Sequence, residues 1–131
     1  MPAYSSDDFD PPAPVTLVDL RAPATGESMS GVPMLIDTGA DVTLVPQSAV
    51  SQLGLRTAGG ARYALAGFGG GTKLIEAVRL ELVFCHKTFR GQFLPVDQAW
   101  GILGRNVLNA IPLLLNGPAL TWDEYHPVRA P

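Results

Sequence analysis

The stretch MLIDTGADVTLVP, residues 34–46, sets an acidic residue, Asp37, directly behind three apolar ones. A strand that enters a core does not end on a carboxylate without cause, because an unpaired buried charge is costly and the group then stays protonated. Either Asp37 is a turn residue facing solvent, as Asp and Gly both favour, or its position serves proton-transfer chemistry. Other chemistries fit the chain less well. Its histidines are His86 and His126, and its single cysteine, Cys85, adjoins the first of them. A closed Cys/His zinc site needs four ligands, so one chain cannot build it, and these residues read as strand and tail surface. The run AGFGGGTK, residues 66–73, matches neither G-x-G-x-x-G nor G-x-x-x-x-G-K-[ST]. The residues after it alternate like a strand, whereas a phosphate cradle needs a helix N-terminus. Taken alone, it is a glycine-rich loop. There is no G-x-S-x-G elbow, and a Cys-His neighbour pair is not a nucleophile dyad.

The elements that must position Asp37 are mostly strands. VTLVDLR (15–21) reads as one, and VPMLID (32–37) as a second, continuous and apolar enough for burial on both faces. DVTLVP (41–46) begins a third. PQSAVSQLG (46–54) reads as a short helix, with Pro46 suited to its first turn and Gly54 to its stop. Residues 61–84 read as two strands about a glycine-rich tip. In AVRLELVF, Val78, Leu80, Leu82 and Phe84 alternate with Arg79, Glu81 and Val83, the period of a half-buried strand. TFRGQFLPVD is a further strand, GRNVLNAI a short helix, and PLLLNGPALTW two strands about Asn116-Gly117-Pro118.

Composition bounds the rest. The 131 residues make one domain, and 47% hydrophobic against 16% charged residues excludes a disordered chain. Net charge is −3 without a Lys/Arg cluster, so no nucleic-acid partner is expected. A lone cysteine fits a reducing compartment. The start, MPAYSSDDFDPPAP, has neither the basic residues nor the apolar run of a signal peptide and reads as a flexible tail, residues 1–14. No stretch approaches the ~18–20 apolar residues that span a bilayer. The expectation is a cytoplasmic protein with no membrane, metal or cofactor.

Three segments in order, LIDTGADVT, LAGFGGGTK and ILGRNVLN, resemble the retropepsin-like aspartic proteases over residues 15–122. The resemblance implies an all-β, closed retropepsin-like barrel with a flap hairpin and one or two short helices, dimeric, with residues 123–131 as a C-terminal tail. It assigns Asp37 as catalytic acid, Thr38 as the hydroxyl that braces the two active-site loops across the dimer, and Gly39 as the close backbone passage. Asp41 would contact substrate main chain and pair with Arg105. Ile102, Leu103 and Gly104 would thread behind the catalytic loop, with Ile102 reaching substrate. Gly67, Phe68, Gly69 and Gly70 would form the flap tip, Phe68 its apolar plug. Ala40 offers the carboxylate no hydroxyl, so activity is expected to reach weakly acidic or near-neutral pH.

The implied chemistry needs two carboxylates sharing a proton and holding one water, for which aspartic proteases are themselves the standard case. The chain has a single D-T-G and no D-S-G, which is half a dyad. This requires a homodimer, acting on a peptide or protein substrate, with VTLVDL and PALTW as candidate interface strands. Two other readings stand beside the endopeptidase. One is a catalytically silent peptide-binding or dimerisation module of the same fold. The other is a structural β domain with Asp37 exposed in a turn far from Gly104.

Overall fold

The computed structural model describes residues 2–55, 57–66 and 72–127, with 57–66, 72 and 73 described as backbone. Among these residues ten strands and two short helices run in the order β1 (Tyr4–Ser5), β2 (Ala13–Arg21), β3 (Ser28–Ile36), β4 (Leu44–Pro46), α1 (Gln47–Gln52), β5 (Thr57–Ala66), β6 (Thr72–Phe84), β7 (Lys87–Val96), β8 (Gly101–Leu103), α2 (Arg105–Leu108), β9 (Leu113–Asn116) and β10 (Thr121–Glu124). The expected all-β architecture is present. Eight strands form one sheet in the order β1-β2-β3-β8-β4-β7-β6-β5, and β2 also pairs with β6, so the ladder closes on itself.

Alternation explains how this closed sheet fills its centre. On β6, Val78, Leu80, Leu82 and Phe84 are buried while Arg79 is exposed. Their partners within the enclosure are Val18 and Leu20 of β2, Val32, Met34 and Ile36 of β3, and Leu103 of β8. β3 is less symmetrically buried than its apolar run suggests: Pro33 and Leu35, on its other face, are only half-buried. The helix forms as expected. Pro46, at φ −62°, precedes it, and Gly54, at φ +63°, comes after it in the left-handed conformation that a helix stop favours. Glu81, on the outer face of β6, bridges Arg21 of β2 (3.2 Å) and Arg90 of β7.

Two expectations are corrected. DVTLVP supplies only three strand residues, Leu44–Pro46, because residues 37–43 form a loop that arcs from β3 to β4. Residues 2–14 are not a free tail. Tyr4 and Ser5 pair with Pro14 and Ala13, Ala3 bridges Thr121, and Phe9 packs edge-on against Trp100 at 5.4 Å. The two ends of the chain are thereby joined. Trp122 completes the junction: it is buried, its ring lies 5.8 Å from that of Phe84, and its indole N–H donates to the Val15 carbonyl at 2.8 Å.

Candidate active site

The site is built where β8 slides between β3 and β4. β3 and β8 run parallel, with Met34, Leu35 and Ile36 opposite Gly101, Ile102 and Leu103. On its other side β8 meets β4 antiparallel, Leu44 opposite Ile102. The chain leaves β3 at Ile36, arcs over the end of β8 through residues 37–43, and returns as β4. Asp37 therefore stands at the mouth of the arc, half-buried, just past buried Ile36.

Backbone hydrogen bonds fix the arc. The Asp37 N–H donates to the Leu103 carbonyl at 3.1 Å, extending the β3–β8 ladder by one residue, and the Asp37 carbonyl accepts the Ala40 N–H at 3.2 Å. The Gly39 N–H donates to Asp37 Oδ1 at 2.9 Å and so orients the carboxyl group. A Cβ at Gly39 would lie 3.1 Å from that same oxygen, tight enough to push against it. Asp-Thr-Gly is thus a turn, but one pinned against the Leu103-Gly104 segment. A plain surface turn remote from Gly104 would not show this.

Gly104 lies beneath the arc. A Cβ there would overlap the Val42 carbonyl oxygen, lie 2.5 Å from the carbon that bears it and 3.0 Å from the Ala40 oxygen. The next residue closes the contact, because the Arg105 N–H donates to the Ala40 carbonyl at 2.8 Å. The Arg105 side chain reaches back as well, its Nη1 donating to the Thr38 carbonyl at 2.7 Å. The expected buried Asp41–Arg105 ion pair is not formed. Both residues are exposed and no ion pair joins them. Water solvates both charges, and the guanidinium is satisfied by a backbone oxygen instead.

The remaining site residues sit around this arc. Thr38 is exposed at the turn, Ala40 half-buried, Ile102 half-buried on β8, and Leu103 fully buried behind the arc. Gly67, Phe68, Gly69 and Gly70 lie outside the described residues. The strands on either side of them pair through Ala66 opposite Thr72, as expected of two strands about a glycine-rich tip.

Two residues that sequence reasoning missed complete the support. Thr43 is buried to 1% exposure. Its Oγ1 accepts the Gly104 N–H at 3.0 Å and donates to Asn106 Oδ1 at 2.7 Å. One hydroxyl thus ties the end of the arc to the start of α2. The only sequence signal was a polar residue inside the apolar run VTLV. A hollow of about 200 Å³ lies beside this bond, lined by Val42, Thr43, Gln92, Leu94 and Asn106. Asp37 does not line it, so it flanks the support and not the carboxylate.

No curated protein matches the chain in sequence. Among solved structures it resembles the EIAV protease in complex with the inhibitor HBY-793, at TM-score 0.53 and 24% identity, over 75% of this chain and 86% of that one. That likeness shows the fold. An aspartyl protease family model matches residues 23–107. The matched stretch takes in the whole arc, β8 and most of α2, well over half of the chain, and makes this protein a member of the aspartyl protease family.

Proposed function

We propose that the chain is an aspartic endopeptidase that acts as a homodimer, with one Asp37 from each subunit. The observation that carries this is Asp37 itself: a carboxylate oriented by the Gly39 N–H and pinned to Leu103, in a chain with no second D-T-G. Two such carboxylates share one proton. The ionised one takes a proton from the bound water as its oxygen attacks the peptide carbonyl carbon. The protonated one gives its proton to the carbonyl oxygen. The resulting gem-diol collapses as the amide nitrogen is protonated and the C–N bond breaks, leaving a free acid and a free amine. No covalent intermediate or cofactor takes part.

In this reading Thr38 braces the two loops across the dimer. Asp41 and Ile102 meet the substrate, and Gly67, Phe68, Gly69 and Gly70 cover it. Leu103, Gly104 and Arg105 support the arc from behind. Among the described residues no helix is long and apolar enough to cross a membrane, and a cytoplasmic setting fits the lone cysteine. The test is digestion of a peptide library across pH by the wild type and by Asp37→Asn. Cleavage by the wild type alone supports the assignment. Equal cleavage by both, or none by either at any protein concentration, overturns it.

A further inference from the structure

The N-terminal segment packs against the residue that leads into β8. Tyr4 and Ser5 pair with Pro14 and Ala13, so residues 6–12 form a loop closed at its base. Ser5 shapes this loop: its hydroxyl donates to Asp8 Oδ2 at 3.1 Å and accepts the Asp8 N–H at 3.3 Å. From Ser6 to Pro11 every residue is exposed except Phe9, which is half-buried, its ring 5.4 Å from that of Trp100 and inclined to it by 71°. The loop's one large apolar side chain thus rests on Trp100 and not in the core cluster. Burial alternates from Trp100 onward: Trp100 and Ile102 are half-buried, Gly101 and Leu103 buried. Trp100 therefore continues the face of β8 that Ile102 occupies. Leu35 of β3 and Leu44 of β4 lie opposite Ile102 and are half-buried as well. Asp37, two residues beyond Leu35, ends this apolar face. The backbone at its other end is fixed, because a Cβ at Gly101 would overlap the Met34 side chain and the Leu44 carbonyl oxygen. Phe9 is the ring that bears on the indole beyond that fixed point.

We propose that Phe9 is a positioning residue for substrate selection: it holds the Trp100 indole as the end wall of the apolar face beside Asp37, and so sets which apolar side chains of a substrate that face accepts. The proposal rests on the endopeptidase reading, in which Ile102 meets the substrate. Edge-to-face packing favours one orientation of the indole over the alternatives by about twofold to tenfold. A wall held in one orientation distinguishes side chains of different shape without first being ordered by them, whereas a wall that turns accommodates them alike. Among the described residues no hydrogen bond joins Phe9 or Trp100 to the arc that carries Asp37. Loss of the Phe9 ring should therefore act on binding and preference, and not on the proton transfers.

The experiment compares wild type, Phe9→Ala, Phe9→Tyr, Trp100→Ala and the double variant Phe9→Ala/Trp100→Ala on peptides that differ in one side chain beside the scissile bond. Cleavage is measured at a protein concentration where specific activity no longer rises, so that changes in association drop out. For the preferred peptide, Phe9→Ala should raise KM about twofold to tenfold at unchanged kcat, and its preference over poorer peptides should shrink by a similar factor. Phe9→Tyr keeps the ring and should restore the wild-type values. The double variant should be no worse than Trp100→Ala, since Phe9 acts through the indole. Acrylamide quenching gives a readout besides activity: Trp122 is buried, so the quenchable emission is that of Trp100, and Phe9→Ala should increase it. Unchanged KM, preference or quenching in Phe9→Ala, or a further loss when Phe9→Ala is added to Trp100→Ala, refutes this role and leaves the protease reading standing. A wild type without Asp37-dependent cleavage overturns both. Phe9 lies outside the core cluster, so Phe9→Ala should fold; should it not, Phe9→Leu carries the same comparison.

Discussion

Replacing Thr43 by Val keeps the shape of the side chain and removes its hydroxyl, so no cavity term enters. Two hydrogen bonds are lost. The first leaves the Gly104 N–H without its acceptor at a buried position, which costs about 1–3 kcal/mol. The second frees Asn106 Oδ1, but Asn106 is exposed and water replaces the lost donor at little cost. The sum is a destabilisation of about 1.5–3 kcal/mol, nearly all from one amide. Asn106→Ala removes the other end of the same chain of bonds while the Thr43 hydroxyl still accepts from Gly104, so it should cost less, about 0.5–1.5 kcal/mol. Urea unfolding followed by tryptophan fluorescence measures both, at one fixed protein concentration because association raises apparent stability. The midpoints should fall in the order wild type, Asn106→Ala, Thr43→Val, with unchanged slopes. Thr43→Val should also lower kcat, since the freed Gly104 no longer holds the arc that carries Asp37. A Thr43→Val midpoint indistinguishable from wild type, or an Asn106→Ala variant less stable than Thr43→Val, would refute this apportioning.

Gly104→Ala should be severe for steric reasons alone. The backbone there has φ −94°, which any residue adopts, but the added methyl overlaps the Val42 carbonyl, so thermal unfolding should show a loss of about 3 kcal/mol and cleavage should fail. Arg105→Ala removes one bond to the Thr38 carbonyl at an exposed site. It should cost about 1 kcal/mol in the same measurement, well short of the roughly 3–5 kcal/mol expected when a buried ion pair is broken, and should act mainly on kcat. The Cys85 thiol is pushed up from 9.0 to about 11, first by burial and then by the Glu124 and Asp123 carboxylates. Its alkylation should therefore lag that of a free thiol at pH 9. Because the folded value is the higher one, its contribution to stability is complete below pH 9 and is lost as pH climbs towards 11. Chemical denaturation at pH 8 and pH 10.5, with and without Cys85→Ser, checks the sign.

The features legible in the sequence are those written in local chemistry. The buried face of β6 comes from strict alternation, and α1 is bounded by a proline and a glycine whose backbone angles suit those places. The meeting of Asp37 with the Leu103-Gly104 segment was legible only because three motifs in order resemble one family. No local pattern states that β8 inserts between β3 and β4. The features that escaped depend on backbone atoms or on chain ends. Arg105 and Asp41 have opposite charges near one loop, which suggests a pair. Its real acceptor, the Thr38 carbonyl, belongs to an atom that every residue carries and no sequence distinguishes. Thr43 matters because the amide it caps lies 61 residues away, and nothing in VTLV marks its hydroxyl as the buried one. The acidic, proline-rich start has the composition of a tail. It is nonetheless paired, because the hairpin at the other end of the chain leaves one side of β10 open to it. That closure leaves β9 as the outer strand of the hairpin among the described residues, so Leu114 and Leu115, in a run that looks like ordinary core sequence, face solvent.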